Sequence, residues 1–469
     1  MSAALLGLTL LAATIAAPPE PWLPDDDLRY DHEIQGEQAS EPWWRSLDDP
    51  TVAQLVELGL ANNHDLAAAQ SSVAAARAMA AQAGAALAPV ASVNLSSNTS
   101  PMDSLGFQFG GASSGAPASD DTPETYTTAS AMLGLSWQPD IWGGQILSWR
   151  AERFDADAAA GDRDAAALGI GTAIASTWYD LVATQAQLIL LQDRCDLVAD
   201  LLALTEERYA QGELSGLDVL QQRQQLAATE AQLPSIRAAR FQLERAMLVL
   251  LGQPDLQQLP ALPSALPEVP PTPGTGIPAE LVENRPDLRA AMARYASSDA
   301  SARSALRGFL PTLGISAQGG RQYFVTDETK EIDTWSVSGS VSVPLWQARG
   351  AHTGVQASRA AQSAASHALS KAAMTAVQEV EGAVVMEQEF RLQVEATERQ
   401  VEAASAAFTQ SREYYLQGLI TYPQVLAALQ AHQQALISRL SAQRTLLDAR
   451  ISLHEVLGGR WTTTTEVSP

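Results

Sequence analysis

The sequence predicts an α+β membrane protein. An internally duplicated chain contributes four strands to a trimeric 12-stranded transmembrane β-barrel, continuous with a long α-helical barrel. Three observations predict this fold. The 469 residues repeat one order of elements twice, and four segments alternate apolar and polar side chains with the period of a strand. Each pair of such segments is followed by helical stretches far longer than a globular domain uses.

Composition narrows the function classes. Against 53 acidic side chains stand 29 Lys and Arg, a formal charge of −24, so no basic stripe is available for nucleic acid or an anionic membrane surface. With 46% apolar and 17% charged residues the chain is a folding sequence and not an acidic, disordered polymer. Its one cysteine, Cys195, permits no internal disulfide and no Cys-based metal centre. His32, His64, His352, His367, His432 and His454 never fall at metal-ligand spacing, and no Walker A loop, GxSxG or HExxH occurs. Neither a cofactor, a metal nor an enzymatic activity is expected.

The elements follow in order. Residues 1–17 read as a signal peptide: the run SAALLGLTLLAATIAA is too short to span a bilayer as a helix, and cleavage fits after Ala16 or Ala17. No later stretch is long and apolar enough for a transmembrane helix. An irregular segment, 18–48, leads to the first repeat, 49–253. It opens with an Ala-rich helix over 49–87, for which Asp49-Pro50 supplies an N-cap and a first-turn proline. Pro89 stops that helix and begins a β-hairpin over 89–138. Ala91, Val93 and Leu95 alternate with Ser92, Asn94 and Ser96, and Ala129, Ala131, Leu133, Leu135 and Trp137 alternate with Ser130, Met132, Gly134 and Ser136. A Gly/Ser/Pro-rich loop, 104–120, forms its tip.

A helical hairpin over 144–251 follows. No proline interrupts residues 144–212, and about 65 residues in one helix extend roughly 100 Å. Leu181, Leu188, Cys195, Leu202 and Tyr209 recur every seventh residue, with Leu191 and Val198 in the intervening seam, the coiled-coil beat, which gives Cys195 a packing role. Gly212 closes the long helix and a second one returns from about residue 217 to 251. A Pro-rich linker, 254–278, joins the second repeat, 279–458, with its β-hairpin at 311–345, helical hairpin at 349–457 and C-terminal tail at 459–469. There the return strand alternates from Trp335 through Val337, Gly339, Val341 and Val343 to Leu345 without a slip, and Tyr126, Trp137, Trp335 and Trp346 are placed at strand ends. Self-similarity supports the duplication: Tyr209, Gly212 and Leu251-Gly252 recur 206 positions later as Tyr415, Gly418 and Leu457-Gly458.

Strands of this length match a tilted transmembrane β-strand. In lipid, bare backbone groups at sheet edges are costly, and four strands cannot close a barrel, so identical chains must share one. Two copies give eight strands, a barrel filled by side chains, and three give twelve, with room for a lumen. Ser and Gly on one face and apolar residues on the other suit the larger, wet barrel.

At residue level the chain resembles the outer membrane factors, the TolC-like channels of tripartite efflux and type I secretion systems, especially the branch serving RND pumps. The resemblance runs from about residue 42 to 461 and rests on Pro42-Trp43-Trp44 with Leu47 and Pro50, Asp140-Ile141-Trp142-Gly143-Gly144 and Glu283-Asn284-Arg285-Pro286-Asp287-Leu288-Arg289. Tyr209 with Gly212, Tyr415 with Gly418, and Leu457-Gly458-Gly459-Arg460-Trp461 complete it. It implies a homotrimer in the outer membrane of a Gram-negative bacterium, with most of the chain in the periplasm. Its partners would be outer membrane lipid, a periplasmic adaptor protein and an inner membrane transporter of RND type. The function implied is a passive exit duct for drugs or other small molecules. Two departures stand out. No cysteine lies near this N-terminus, so the lipid anchor usual in that branch is not expected, and the acidic gate residue many relatives carry nine positions after the glycine matching Gly418 is here Ala427.

The resemblance also implies site residues. The periplasmic gate is lined by Leu217, Gln221, Gln224, Pro423, Ala427 and Gln430, and is expected to be held by packing and neutral hydrogen bonds. Arg208, Gly212, Glu213, Arg412 and Gly418 form the adaptor-docking tips. Two alternatives remain open at this level: the exit duct of a type I protein secretion system, and a non-channel coiled-coil scaffold or adaptor, for which heptads and hairpins alone suffice.

Overall fold

The computed structural model describes residues 19–25, 28, 42–101, 125–255, 259–270, 272, 280–325, 329–343 and 348–459. The predicted signal peptide, the hairpin tip at 104–120, Trp346 and the tail after Gly459 lie outside the described residues, as do parts of the N-terminal segment and the linker. The chain divides into two compact units. One comprises Met1–Glu20, Ala74–Ala156 and Ala293–Ser366, and the other Pro21–Val73, Asp157–Met292 and His367–Pro469.

In the first unit, β1 (Val90–Pro101), β2 (Thr125–Trp137), β3 (Thr312–Val325) and β4 (Thr329–Ser342) form one antiparallel sheet in the order β1-β2-β3-β4. Each pairing runs without a bulge, so the period-two pattern stays in phase across the sheet, and Val93, Leu133, Gly319 and Trp335 share one rung. One face therefore collects the apolar alternates, all solvent-exposed in the single chain: Val93 at 70%, Leu95 at 77%, Val341 at 68% and Trp335 at 82%. The other face is rich in serine, with Ser96 and Ser130 hydroxyls 2.8 Å apart and Ser316 and Ser338 hydroxyls 2.7 Å apart. Among the described residues β1 and β4 each pair on one side only, which leaves two open edges.

The strand ends depart from expectation. Trp335 lies midway along β4, because the polar residues before it continue the ladder, with Arg321 opposite Asp333 and Tyr323 opposite Glu331. Apolar alternation marks where a strand is greasy, whereas backbone pairing marks where it is a strand, and here the second outruns the first. Trp137 Nε1 donates to the Leu87 carbonyl (3.1 Å) and Trp142 Nε1 to that of Pro311 (2.6 Å), fixing the base of each hairpin.

The helices are α1 (Pro50–Asn62), α2 (His64–Ala85), α3 (Gly144–Ala210), α4 (Gly216–Glu230), α5 (Leu233–Leu250), α6 (Glu280–Asn284), α7 (Pro286–Arg307), α8 (Ala348–Leu416) and α9 (Tyr422–Val456). Among the described residues no helix is long and apolar enough to cross a membrane. Two predicted helices are each split. Asn63 interrupts 49–87: its backbone is extended, its Oδ1 accepts from the amides of Asp65 and Leu66, and its Nδ2 donates to the Leu250 carbonyl at 2.8 Å. The helix expected over 217–251 breaks at Ala231 and Gln232, because Pro234 can occupy the first turn of α5 but lacks the N–H that a continuous helix would use.

The core of the second unit gathers Trp43, Val56, Ile174, Trp178, Tyr179, Leu181, Met247, Leu251, Leu447 and Ile451, all nearly fully buried. Along α3 the two lines of the predicted seam differ. Leu181 and Leu188, and the intervening Leu191 and Val198, are buried as expected, and Thr205 continues the second line at the same seven-residue step, whereas on the first line Cys195 and Leu202 are half-buried and Tyr209 is 52% exposed.

Candidate functional site

The ends of the helical hairpins are built alike. Gly212 (φ 79°) and Gly418 (φ 71°) occupy the left-handed position after α3 and α8, and Glu213 N and Leu419 N reach back to the carbonyls of Arg208 (3.0 Å) and Tyr414 (2.8 Å). This double-bonded glycine ending recurs at Gly252 and Gly458, so the glycines that betray the duplication are the ones a reversing helix needs. The returning helices start with matching capping boxes, Ser215 with Asp218 and Thr421 with Gln424.

Leu217, Gln221 and Gln224 share one face of α4 at spacings of four and three, and Pro423, Ala427 and Gln430 repeat that spacing on α9. All six are exposed. The opposite faces are packed: Val219, Gln222, Tyr422, Val425 and Leu429 are buried. Arg208 joins the two tips, its guanidinium 5.0 Å from the centroid of the Tyr415 ring and its Nη2 3.4 Å from the Leu416 carbonyl. Glu213 and Arg412 are exposed. Of the nearby charges, Arg223 pairs with Glu206 (2.7 Å) and Asp218 accepts from the Ser215 hydroxyl in its capping box.

Sequence reasoning singled out Tyr415 but missed Tyr422 and Gln222, which hold this region from behind with it. Tyr415 and Tyr422 pack edge to face at 6.1 Å, and Gln222, fully buried, donates to the Val198 carbonyl at 3.4 Å. A readable signal existed: Gln222 falls three residues after Val219 on the apolar stripe of α4, where a polar side chain must find a partner.

Away from the tips a buried ionic node joins α8, α9 and the interrepeat segment. Glu387 and Arg450 are about 1% exposed and form a two-pronged ion pair; Arg450 Nε lies 3.2 Å from Glu387 Oε2, and Arg391 adds a contact of 3.1 Å. Thr272 donates to Glu387 at 2.9 Å. One turn on, His454 is buried against the Trp43 ring (5.9 Å) and Ser46 Oγ (3.1 Å); because that hydroxyl donates to the Trp43 carbonyl, it accepts from a neutral His454 Nε2–H. This explains the Pro42-Trp43-Trp44 motif physically: it seals the C-terminal helix.

Burial, and then the charge of Arg450, hold the His454 pKa down at about 4, against a partial upward pull from Glu387. The unfolded imidazole binds its proton near pH 6.5, so the unfolded state takes up more protons as pH falls. The stabilisation is complete above about pH 6.5 and is lost progressively down to about pH 4, amounting to roughly 3 kcal/mol. Melting temperatures measured from pH 7.5 to 4 should fall across that window, and His454→Gln should flatten the profile.

A four-stranded sheet with one apolar face and two open edges, followed by reversing helical hairpins, defines the class: the fold of outer membrane channel chains. The structure matches the outer-membrane channel OprN with a TM-score of 0.82 at 23% identity over 95% of this chain and 98% of that one. It matches VceC of Vibrio cholerae with a TM-score of 0.78 at 23% identity over 89% and 99%. The chain belongs to the outer membrane efflux protein family, whose model matches residues 55–253 and 277–459. Relatives include the pyoverdine export outer membrane protein OpmQ of Pseudomonas putida, 28% identical over 97% of this chain and 96% of that protein. Another is the solvent efflux pump outer membrane protein SrpC of Pseudomonas putida, 27% identical over 88% and 86%.

Proposed function

We propose that this chain is the outer membrane channel of a tripartite efflux system, a passive exit duct for drugs or other small molecules. An RND-type inner membrane transporter and a periplasmic adaptor deliver them. The observation that carries this reading is the unfinished sheet. Four strands with an apolar face cannot be left in lipid with bare edges, and three chains closing edge to edge give a 12-stranded barrel, apolar outside and serine-lined inside. From Trp335 on β4 to Val343 just past its end the apolar alternates run about 27 Å along the chain, which at a tilt of about 40° covers about 21 Å, most of the roughly 25 Å apolar band of an outer membrane barrel. Relatives that export pyoverdine and solvents support small molecules as cargo. The test is fractionation with unheated gel electrophoresis: a heat-sensitive trimer in the outer membrane fraction is expected, and a monomer in the soluble periplasm would refute the reading.

Leu217, Gln221, Gln224, Pro423, Ala427 and Gln430 line the periplasmic gate in this reading. Their exposure on two like faces, and the lack of any charged side chain among the six, support closure by packing and side-chain amides. Single-channel recordings of Gln224→Ala with Gln430→Ala should show raised closed-state conductance; unchanged conductance would remove these residues from the gate. Arg208, Gly212, Glu213, Arg412 and Gly418 form the adaptor-docking tips.

A further inference from the structure

The two open edges of the sheet can be matched residue by residue. Val93, Leu133, Gly319 and Trp335 lie side by side on one rung, so the residue of a second copy's β1 that meets Trp335 sets the register of the whole seam. If it were again Val93, the strands of a closed barrel would stand upright. Each residue by which it lies further along β1 is a step that every copy repeats. Only even steps are open. An odd step would turn the apolar alternates of β1 to the serine-rich side. In an antiparallel ladder the outward-facing backbone N–H and C=O groups alternate with the same period, so an even step also brings the bare groups of the two edges together.

The lengths of the edges narrow the choice. β1 has 12 residues and β4 has 14, and every residue of β1 finds a neighbour only at a step of two or four. With no step Ser100 and Pro101 overhang the end of β4, at a step of six Val90 and Ala91 do, and a step in the other direction strands more. Closure geometry separates the remaining two. In a barrel the tangent of the strand tilt is the total stagger times the rise per residue, divided by the strand number times the strand spacing. For three copies of this four-stranded sheet, with a spacing of about 4.8 Å and a rise of about 3.4 Å, a step of two tilts the strands by about 20° and a step of four by about 35°. Transmembrane barrels tilt by roughly 35–45°, which leaves four.

We propose that β4 of one copy pairs with β1 of the next at a step of four, which sets Trp335 opposite the next copy's Ser97 and Ser336 opposite its Ser96. The inference rests on the channel reading and specifies how that channel is sealed. The seam runs without a gap from Ser342 beside the next copy's Val90 to Glu331 beside its Pro101. On the serine-rich face it continues the hydroxyl pairs made within the chain, Ser96 with Ser130 and Ser316 with Ser338. The test is disulfide trapping in the assembled protein, in a Cys195→Ala background so that the introduced thiols are the only ones. Ser96→Cys with Ser336→Cys should give, on mild oxidation, a covalent trimer that survives heating without reductant. Ser96→Cys with Thr334→Cys, the step of two, or with Ser338→Cys, the step of six, should give about tenfold less, because diagonal neighbours stand roughly 7–8 Å apart, beyond disulfide reach. Ser92→Cys with Ser340→Cys reports the same register independently and should link as fully as the first pair. Stronger linking through Thr334→Cys or Ser338→Cys would overturn the step of four, as would heat-sensitive trimers that link at neither matched pair. Failure of the unmodified protein to form a heat-sensitive trimer would instead refute the channel reading.

Discussion

Glu387→Ala should destabilise the protein by about 3–5 kcal/mol, the cost of leaving a buried arginine without its counter-ion. Arg450 is about 1% exposed and its guanidinium has no route to water, while Glu387 also organises Arg391 and Thr272. One substitution therefore unpairs α8, α9 and the interrepeat segment together. Thermal unfolding of the detergent-purified protein, followed by circular dichroism, would read the loss. Glu387→Met combined with Arg450→Met should recover most of it, because an apolar pair leaves no buried charge. A Glu387→Ala protein that melts with the unmodified one would show that the pair contributes nothing.

Introducing lysine at both Val341 and Val343 should abolish assembly. Val341 is 68% exposed on the apolar face and Val343 follows on the same alternation just beyond β4. On a lipid-facing strand a lysine costs about 2–4 kcal/mol near the bilayer midplane and about 0–1 kcal/mol at its borders; Val341 lies inside the apolar band and Val343 at its edge, so the pair costs on the order of 2–4 kcal/mol in each chain, a cost that every subunit of an oligomer repeats. Ser336→Lys, one residue from Trp335 but on the serine-rich face, should be tolerated, since that face lines the lumen in the proposed barrel. The measurement is the amount of heat-sensitive oligomer in the outer membrane fraction. Normal levels of the double lysine protein would favour the coiled-coil scaffold, in which neither face meets lipid.

How much of this was legible follows from the range over which each signal acts. Period-two alternation and the reversing glycines are local, and they placed the strand hairpins and the turns at Gly212 and Gly418 from sequence alone. The helix break at Asn63 carries a local signal, an asparagine whose Oδ1 caps the next helix at Asp65 and Leu66, but its anchoring to the Leu250 carbonyl, 187 residues away, was hidden. Glu387 and Arg450 were hidden for the same reason, although each interrupts an apolar stripe, Val380 and Val384 before one and Leu447 and Ile451 around the other. Arg285 was visible only through the family resemblance, and the structure supplies its cause: it binds Asp287 at 2.7 Å, Glu379 at 2.8 Å and the Val456 carbonyl at 3.1 Å. At the candidate gate the exposed residues came from resemblance, whereas the buried tyrosine pair behind them needed coordinates.

The two raw edges of the sheet carry one more consequence. A strand with no neighbour is a template for whatever backbone arrives first. For this chain maturation is therefore a race decided by collision frequency: like must meet like before a stranger zips onto β1 or β4. Yield should then depend on how many newly made subunits share the same patch of envelope, more than on how well any one of them is made.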